Sequence, residues 1–261
     1  MKRFFSQVWI SYKMRQGGFN WTEFLALQIG YSLLSLIFYC LVARFTTGNI
    51  DLTRWVVGNA FNLCLMECMH ITGTMFAGAR MNGTLGNIIA APGNKLALVL
   101  QSGMASIIMS FVVVAAGMLF GGLIFRVPFG DLHIPAFLLC MLAATFACAG
   151  AGMLLSVFSL CTDSLYMILN IATAMTIFFS GANFPVAQLP VWAQWIGRVF
   201  PLQRAIAAAN LSFVGWGALP GEFYRLIGGE LLLGLGFYVL AFVLLRFFER
   251  LARRKASLDM Y

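Results

Sequence analysis

Apolar residues run along this chain in long blocks, and polar residues punctuate the blocks rather than alternate within them. A bilayer core takes about 20 apolar residues per helix. On that ruler the chain divides into candidate spans at Leu25–Val42, Trp55–Phe76, Met104–Phe125, Ala136–Leu160, Leu165–Phe184 and Leu226–Leu245. The second is diluted by Asn59, Asn62, Glu67 and His70 and has the weakest signal. Ahead of the first span, Phe4, Phe5, Val8, Trp9 and Tyr12 recur at helical spacing among Lys2, Arg3, Lys13 and Arg15. That pattern predicts an amphipathic helix over residues 1–23 lying in the membrane interface. A secretory signal would instead need a continuous apolar stretch there. Gly17 and Gly18 then allow a bend into the first span.

The segments between spans carry patterns of their own. In the stretch 77–103, Leu85, Ile88 and Ile89 fall on one side of a short helix that Pro92 and Gly93 would stop. This apolar ridge is too short to cross a bilayer and needs lipid or a protein partner. In the stretch 185–225, Pro185, Pro190 and Pro201 break the spanning helix and restart a shorter one. Trp192 and Trp195 sit one turn apart, as interfacial anchors do. The expectation is a partly re-entrant element, tolerated at membrane depth where protein or water covers it.

Composition turns this pattern into a membrane assignment. The chain has 261 residues, of which 61% are hydrophobic and 10% charged, and its mean hydropathy is +0.87. Soluble domains carry about 25% charged residues, and a folded chain of this size still exposes roughly a quarter of its unfolded surface. Lipid must be the solvent, which excludes a cytosolic enzyme, a secreted disulfide scaffold and a disordered chain. With the N-terminus inside, 11 of the 17 basic residues fall on the cytoplasmic side and six outside. Positive-inside bias therefore favours six spans with both termini in the cytoplasm. Dropping the second span would put the two basic termini on opposite sides. The net charge of +8 reads as anchoring charge at an anionic leaflet, with no nucleic acid as partner.

Candidate chemistry is sparse. Cys40, Cys64, Cys68, Cys140, Cys148 and Cys161 lie in or at the edges of apolar runs, not in polar loops where a disulfide framework would place them. Cys64 and Cys68 share a helix face, but His70 points roughly 160° from Cys68, which disfavours a metal site. No Gly-x4-Gly-Lys-Ser/Thr loop is present to cradle ATP, and no Ser-His-Asp set or carboxylate pair stands at a recognisable spacing.

The second span is the informative one: Asn59, Asn62, Met66, Glu67, His70 and Thr74 fall within an arc of roughly 140° on an ideal helix. Such a stripe must face other helices or water. It serves as hydrogen-bonding glue for the bundle, as a wall of a translocation path, or as both at a subunit interface. Asn170, Thr173, Thr176 and Ser180 form a weaker stripe on the fifth span, where Ser and Thr can instead satisfy themselves on their own backbone. Glu230, near one end of the sixth span, is either protonated or paired with Arg225. Gly117, Gly121, Gly122 and the Ala149–Gly152 stretch read as close-packing sites.

Both connecting segments resemble those of the permease subunits of ABC-2 type ABC transporters. After the fifth span that family carries a Ser-Gly pair, Phe-Pro, Leu-Pro, a tryptophan and Pro-Leu. Here these are Ser180, Gly181, Phe184, Pro185, Leu189, Pro190, Trp192, Pro201 and Leu202. The segment between spans two and three looks like the family's coupling element, with Arg80, Gly83, Thr84, Leu85 and Pro92 in the corresponding places. Acidic residues usually flank the Gly-Thr-Leu triplet, and Asn82 and Gly86 stand in those neighbourhoods here, so any docking would rest on apolar contact.

The resemblance implies a single all-α transmembrane domain over 1–261, a half-transporter working with a second permease copy or a paralogue. Two separate ATPase subunits would hold the ATP and magnesium, and this chain would bind no cofactor itself. It implies coupling through Arg80, Gly83, Thr84, Leu85, Ile88 and Ile89, and an outer gate near Phe179, Gly181, Phe184 and Pro185. It also implies export of an amphiphilic drug, peptide, lipid or glycan across a bacterial cytoplasmic membrane. The rivals are a proton-coupled secondary transporter using Glu67, His70 and Glu230, and a membrane-embedded enzyme.

Overall fold

The computed structural model describes residues 30–48, 51–83, 95–158, 162, 164–184, 186–214, 217 and 219–255. The expected interfacial helix over 1–23 lies outside them. Among the described residues the fold is all-helical, and the extended pairing it holds is an isolated antiparallel bridge between Leu132 and Phe213. The helices are α1 (Tyr31–Thr47), α2 (Thr53–Cys64), α3 (Met75–Met81), α4 (Lys95–Phe125), α5 (Ile134–Phe158), α6 (Leu165–Phe179), α7 (Val191–Gly197), α8 (Gln203–Leu211) and α9 (Gly221–Lys255). By length and composition, Gly103–Phe125, Ile134–Phe158 and Gly221–Phe247 can each cross a membrane, and Ser32–Thr47 and Tyr166–Phe179 are shorter apolar helices. Large apolar side chains such as Leu34, Phe38, Leu119, Leu123, Leu232 and Val239 are exposed around the outside. Only lipid makes that surface tolerable: this is a multi-pass membrane protein.

Helix α5 is the axis of the bundle. Two thirds (67%) of its apolar window is buried, against 39% in α4 and 22% in α9, and α4, α6, α8 and α9 all pack on it. Its small residues are the cause. Ala143, Ala144, Ala147, Ala149, Gly150 and Gly152 are buried, and they let backbones approach where lipid provides no hydrophobic drive between helices. A Cβ on Gly150 would lie 3.0 Å from the Gly234 carbonyl oxygen of α9, and one on Gly152 would lie 2.6 Å from the carbonyl oxygen of Met69. Gly117 and Gly121 of α4 serve the same purpose against Leu63, Leu36 and Val56. Gly152→Ala should therefore push α5 off its neighbour and cost about 1–2 kcal/mol, whereas Gly236→Ala, with open space around it, should be neutral. Unfolding in graded detergent mixtures would read the difference, and equal effects would disprove the packing role.

Several expected boundaries change. The second span is one continuous helix by pattern, but the chain forms α2, a π-helical segment Leu65–His70, a turn Ile71–Gly73, a break at Thr74 and then α3. A π turn holds more residues than an α turn, so the wheel that placed Asn59 and Thr74 in one arc does not carry across it. Helix α4 starts at Lys95 rather than Met104, and α9 runs from Gly221 to Lys255, past both ends of the expected Leu226–Leu245. Helix α6 stops at Phe179 rather than Phe184 because Gly181 takes φ 77°, a left-handed stop that favours glycine. At the head of α2, the Asp51 Oδ1 accepts the Thr53 N–H at 3.0 Å, and bonds to Thr53 hold the Asp51 carboxyl below its ordinary range. The sign follows: this cap acts above the ordinary carboxylate range and is lost as pH falls through the lowered value.

Candidate functional site

The broken second span meets the rest of the bundle along a polar seam with two contacts. At its first end, Trp55, Gly58 and Asn59 share a face of α2, spaced as i, i+3 and i+4. Gly58 admits the chain just after α6 so closely that a Cβ would sit 2.6 Å from the Ala182 Cα. The Trp55 indole N–H then donates to the Asn183 carbonyl at 3.3 Å, and the Asn59 amide donates to Asn183 Oδ1 at 3.1 Å. Asn59 also donates to the Trp55 carbonyl at 3.0 Å. Further along, His70 closes the π segment, and its Nε2 is hydrogen-bonded to Thr173 Oγ1 of α6 at 2.7 Å.

These contacts bring together part of the expected stripe and disperse the rest. Glu67 is buried at 1% exposure within the π segment, and Asn62 is half-buried, with both amide atoms buried and unpartnered among the described residues. Thr74 turns back on its own helix, donating to the His70 carbonyl at 2.9 Å. The Met66 side chain lies outside the described residues. On α6, Thr173 faces the seam, Thr176 donates to the Ala172 carbonyl at 2.7 Å, and Ser180 donates to the Ile177 carbonyl at 2.9 Å. Asn170 is exposed. Cys64 Sγ lies 3.6 Å from Cys148 Sγ, and Cys68 Sγ lies 2.9 Å from Ser110 Oγ. The thiols and His70 thus turn to different partners, and among the described residues no His, Cys, Asp or Glu group is placed to hold a metal.

A double-mutant cycle on Asn59→Ala and Asn183→Ala should give a coupling of about 0.6 kcal/mol, the usual size for a hydrogen bond between membrane helices. Additive single effects in an unfolding titration would show that the pair is not energetically joined.

The connection between α6 and α9 is the second feature. Phe179 is buried and stacked on Phe200, with ring centroids 5.7 Å apart, while Phe184 is half-exposed. Helix α7 carries Val191, Trp192, Trp195 and Ile196 on its exposed surface, with Arg198 over the Trp195 ring at 4.3 Å. Helix α8 turns back into the bundle and packs on α5 and α9. Its first turn rests on Glu230: the carboxylate is fully buried, at 0% exposure, and Oε1 accepts the Leu202 N–H at 2.7 Å. Its partner is thus the start of α8, not Arg225, whose side chain is exposed. Leu202 takes φ 78°, a conformation that costs a leucine about 1–3 kcal/mol and persists only when its surroundings fix it.

Pattern reading missed Asn183, for which a lone amide in the apolar run before Phe184 is a signal. Leu202 is marked only as the end of the Pro-Leu pair, and nothing in the sequence marks a leucine held at positive φ. Arg80 is half-buried at the end of α3, and Gly83, at φ 65°, closes that helix by donating its N–H to the Arg80 carbonyl at 2.9 Å. Thr84, Leu85, Ile88 and Ile89 of the expected coupling ridge, and Pro185 of the expected gate, lie outside the described residues.

Comparison with curated proteins finds no match. A family model described as ABC-2 type transporter matches residues 4–213, which takes in the broken second span, the axis helix α5, the polar seam and the connection through α8. The chain belongs to the ABC-2 type transporter family, as a membrane transport subunit and not the ATPase.

Proposed function

We propose that this chain forms half of the membrane pathway of an ATP-driven exporter. Six crossings place both termini in the cytoplasm, and two copies, or one copy and a paralogue, enclose the route. Two separate ATPase subunits supply the energy and hold the ATP and magnesium. The observation that supports this reading best is the polar seam, where a span with a π segment and a backbone break meets α6 through Asn59–Asn183 and His70–Thr173. Interrupted helices with buried polar groups are costly in lipid. They are also what a wall that changes its packing requires, because local breaks are where helices re-pack.

In this mechanism, closure of the ATPases pushes Arg80, Gly83, Thr84, Leu85, Ile88 and Ile89. The push travels along the broken span, and the seam opens or closes at the Phe179, Gly181, Phe184 and Pro185 end. The route is bordered by Asn59, Asn62, Met66, Glu67, His70, Thr74, Asn170, Thr173 and Ser180. Its mostly apolar lining suits an amphiphile moving out across a bacterial cytoplasmic membrane. A proton relay through Glu67, His70 and Glu230 would have to exchange protons at Glu230 through Oε2 alone, because Oε1 accepts the Leu202 N–H.

The test is reconstitution in liposomes with an ABC ATPase that co-purifies with this chain. ATP hydrolysis should rise with substrate, and transport should stop without nucleotide. Transport by this chain alone, abolished by an uncoupler, would overturn the proposal.

A further inference from the structure

Arg54, Ser180, Gln203, Arg204 and Asn210 line a cavity of about 320 Å³ where the head of α2, the end of α6 and helix α8 converge. Its size is that of a head group, not of a whole lipid, and falls at the small end of ligand pockets. The cavity is cationic on two sides. Arg54 comes from the first turn of α2 and Arg204 from the first turn of α8. Arg204 lies across Gly229, where a Cβ would meet its Cδ at 3.0 Å. This places the Arg204 side chain over the turn of α9 that carries Glu230. Glu230 Oε1 serves the Leu202 amide and its Oε2 is buried with no hydrogen-bond partner among the described residues; two guanidiniums against one carboxylate still leave the surroundings positive.

The remaining donors and acceptors are arranged as if for a guest. Arg204 Nη2 donates to the Arg198 carbonyl at 2.9 Å, while Nη1 is buried with no hydrogen-bond partner among the described residues. Gln203 Oε1 is in the same condition. The Asn210 amide donates to the Ile206 carbonyl at 2.9 Å, which leaves its Oδ1 free to accept. Buried polar atoms left unpaired in a native fold are costly and call for an explanation. A planar guanidinium with an unused N–H is suited to a tetrahedral anion, and Gln203 and Asn210 can take hydroxyls attached to it.

We propose that this cavity binds the anionic phosphate head group of an amphiphile. The chemistry is shared by a phospholipid of the surrounding bilayer and by a phosphate-bearing cargo. The site stands whether or not the chain drives export.

The experiment is native mass spectrometry of the purified full chain in detergent, titrated with phosphatidylglycerol, with phosphatidylcholine of equal chain length, and with inorganic phosphate. Phosphatidylglycerol should bind in preference to phosphatidylcholine, and Arg54→Gln together with Arg204→Gln should weaken it roughly tenfold or more. Arg54 is exposed, so Arg54→Gln alone keeps the fold and should still weaken binding measurably. Arg126→Gln, a surface control outside the cavity, should leave it unchanged. Binding of inorganic phosphate with the same arginine dependence supports the site and shows that a phosphate without a neighbouring cation is enough. Binding of phosphatidylglycerol alone supports it with the bilayer as source. Equal binding of phosphatidylcholine, or affinity indifferent to both arginines, overturns it.

Discussion

Replacing Leu85 and Ile88 with aspartate should abolish transport and uncouple it from ATP hydrolysis, while the protein still inserts at wild-type levels. The expectation begins with sequence: Leu85, Ile88 and Ile89 recur at helical spacing in a segment too short to span and stopped by Pro92 and Gly93. An apolar ridge on a water-facing segment is stable only against a partner. Burying each leucine or isoleucine is worth roughly 1.5–3 kcal/mol, so two aspartates remove most of what would hold an ATPase there and add charges that resist burial. The positions flanking the Gly-Thr-Leu triplet are Asn82 and Gly86 in this chain, so docking there would rest on apolar contact. Membrane insertion depends on the spans, which the substitutions do not touch. Loss of transport with retained insertion and weakened ATPase co-purification is the expected result; undiminished transport would remove the ridge from the mechanism.

The sequence made the membrane class and the close packing at Ala149–Gly152 legible because both follow from composition and from small residues in an apolar run. Ala143 to Gly152 can do little in lipid except let another backbone come close, and the contacts of Gly150 and Gly152 with α9 and the π segment are that contact made specific. The polar stripe was legible as a stripe, but not in its geometry. Its angles assumed 3.6 residues per turn, and residues Leu65–His70 depart from that. A π turn has no residue signature, because it arises when packing, here with α5 at Gly152, outweighs the regular hydrogen-bond ladder. The fifth-span stripe shows the opposite case. Thr176 and Ser180 bond their own helix, as local hydroxyl chemistry allows, and of the four only Thr173 reaches another span among the described residues. Glu230 was visible as an anomaly, a carboxylate in an apolar helix, but its partner is a backbone amide 28 residues earlier in the chain. Backbone partners cannot be read from side-chain pairing rules.

That anomaly carries the second large effect. Glu230→Ala should destabilise the protein by about 3 kcal/mol and reduce transport severely, whereas Glu230→Gln should retain most of both. The carboxylate is fully buried and accepts the Leu202 N–H at 2.7 Å, at the point where α8 begins and its first amides have no partner within the helix. The hydrogen bond itself is worth about 0.5–1.5 kcal/mol, and truncation to alanine also leaves a cavity and an unpaired buried donor that costs about 1–3 kcal/mol more. Leu202 adds to the cost, because its positive φ is held in place by this anchor and is unfavourable without it. Glutamine keeps a carbonyl oxygen at the same reach, so it can still accept from Leu202 while lacking the charge that favours a helix start. The ordering alanine far below glutamine therefore separates a hydrogen-bonding cap from a proton carrier. A carrier would be disabled as fully by glutamine, which cannot ionise, as by alanine. Measured together, unfolding midpoints and transport rates decide the matter: if both substitutions abolish transport while leaving stability unchanged, Glu230 moves protons and does not hold α8.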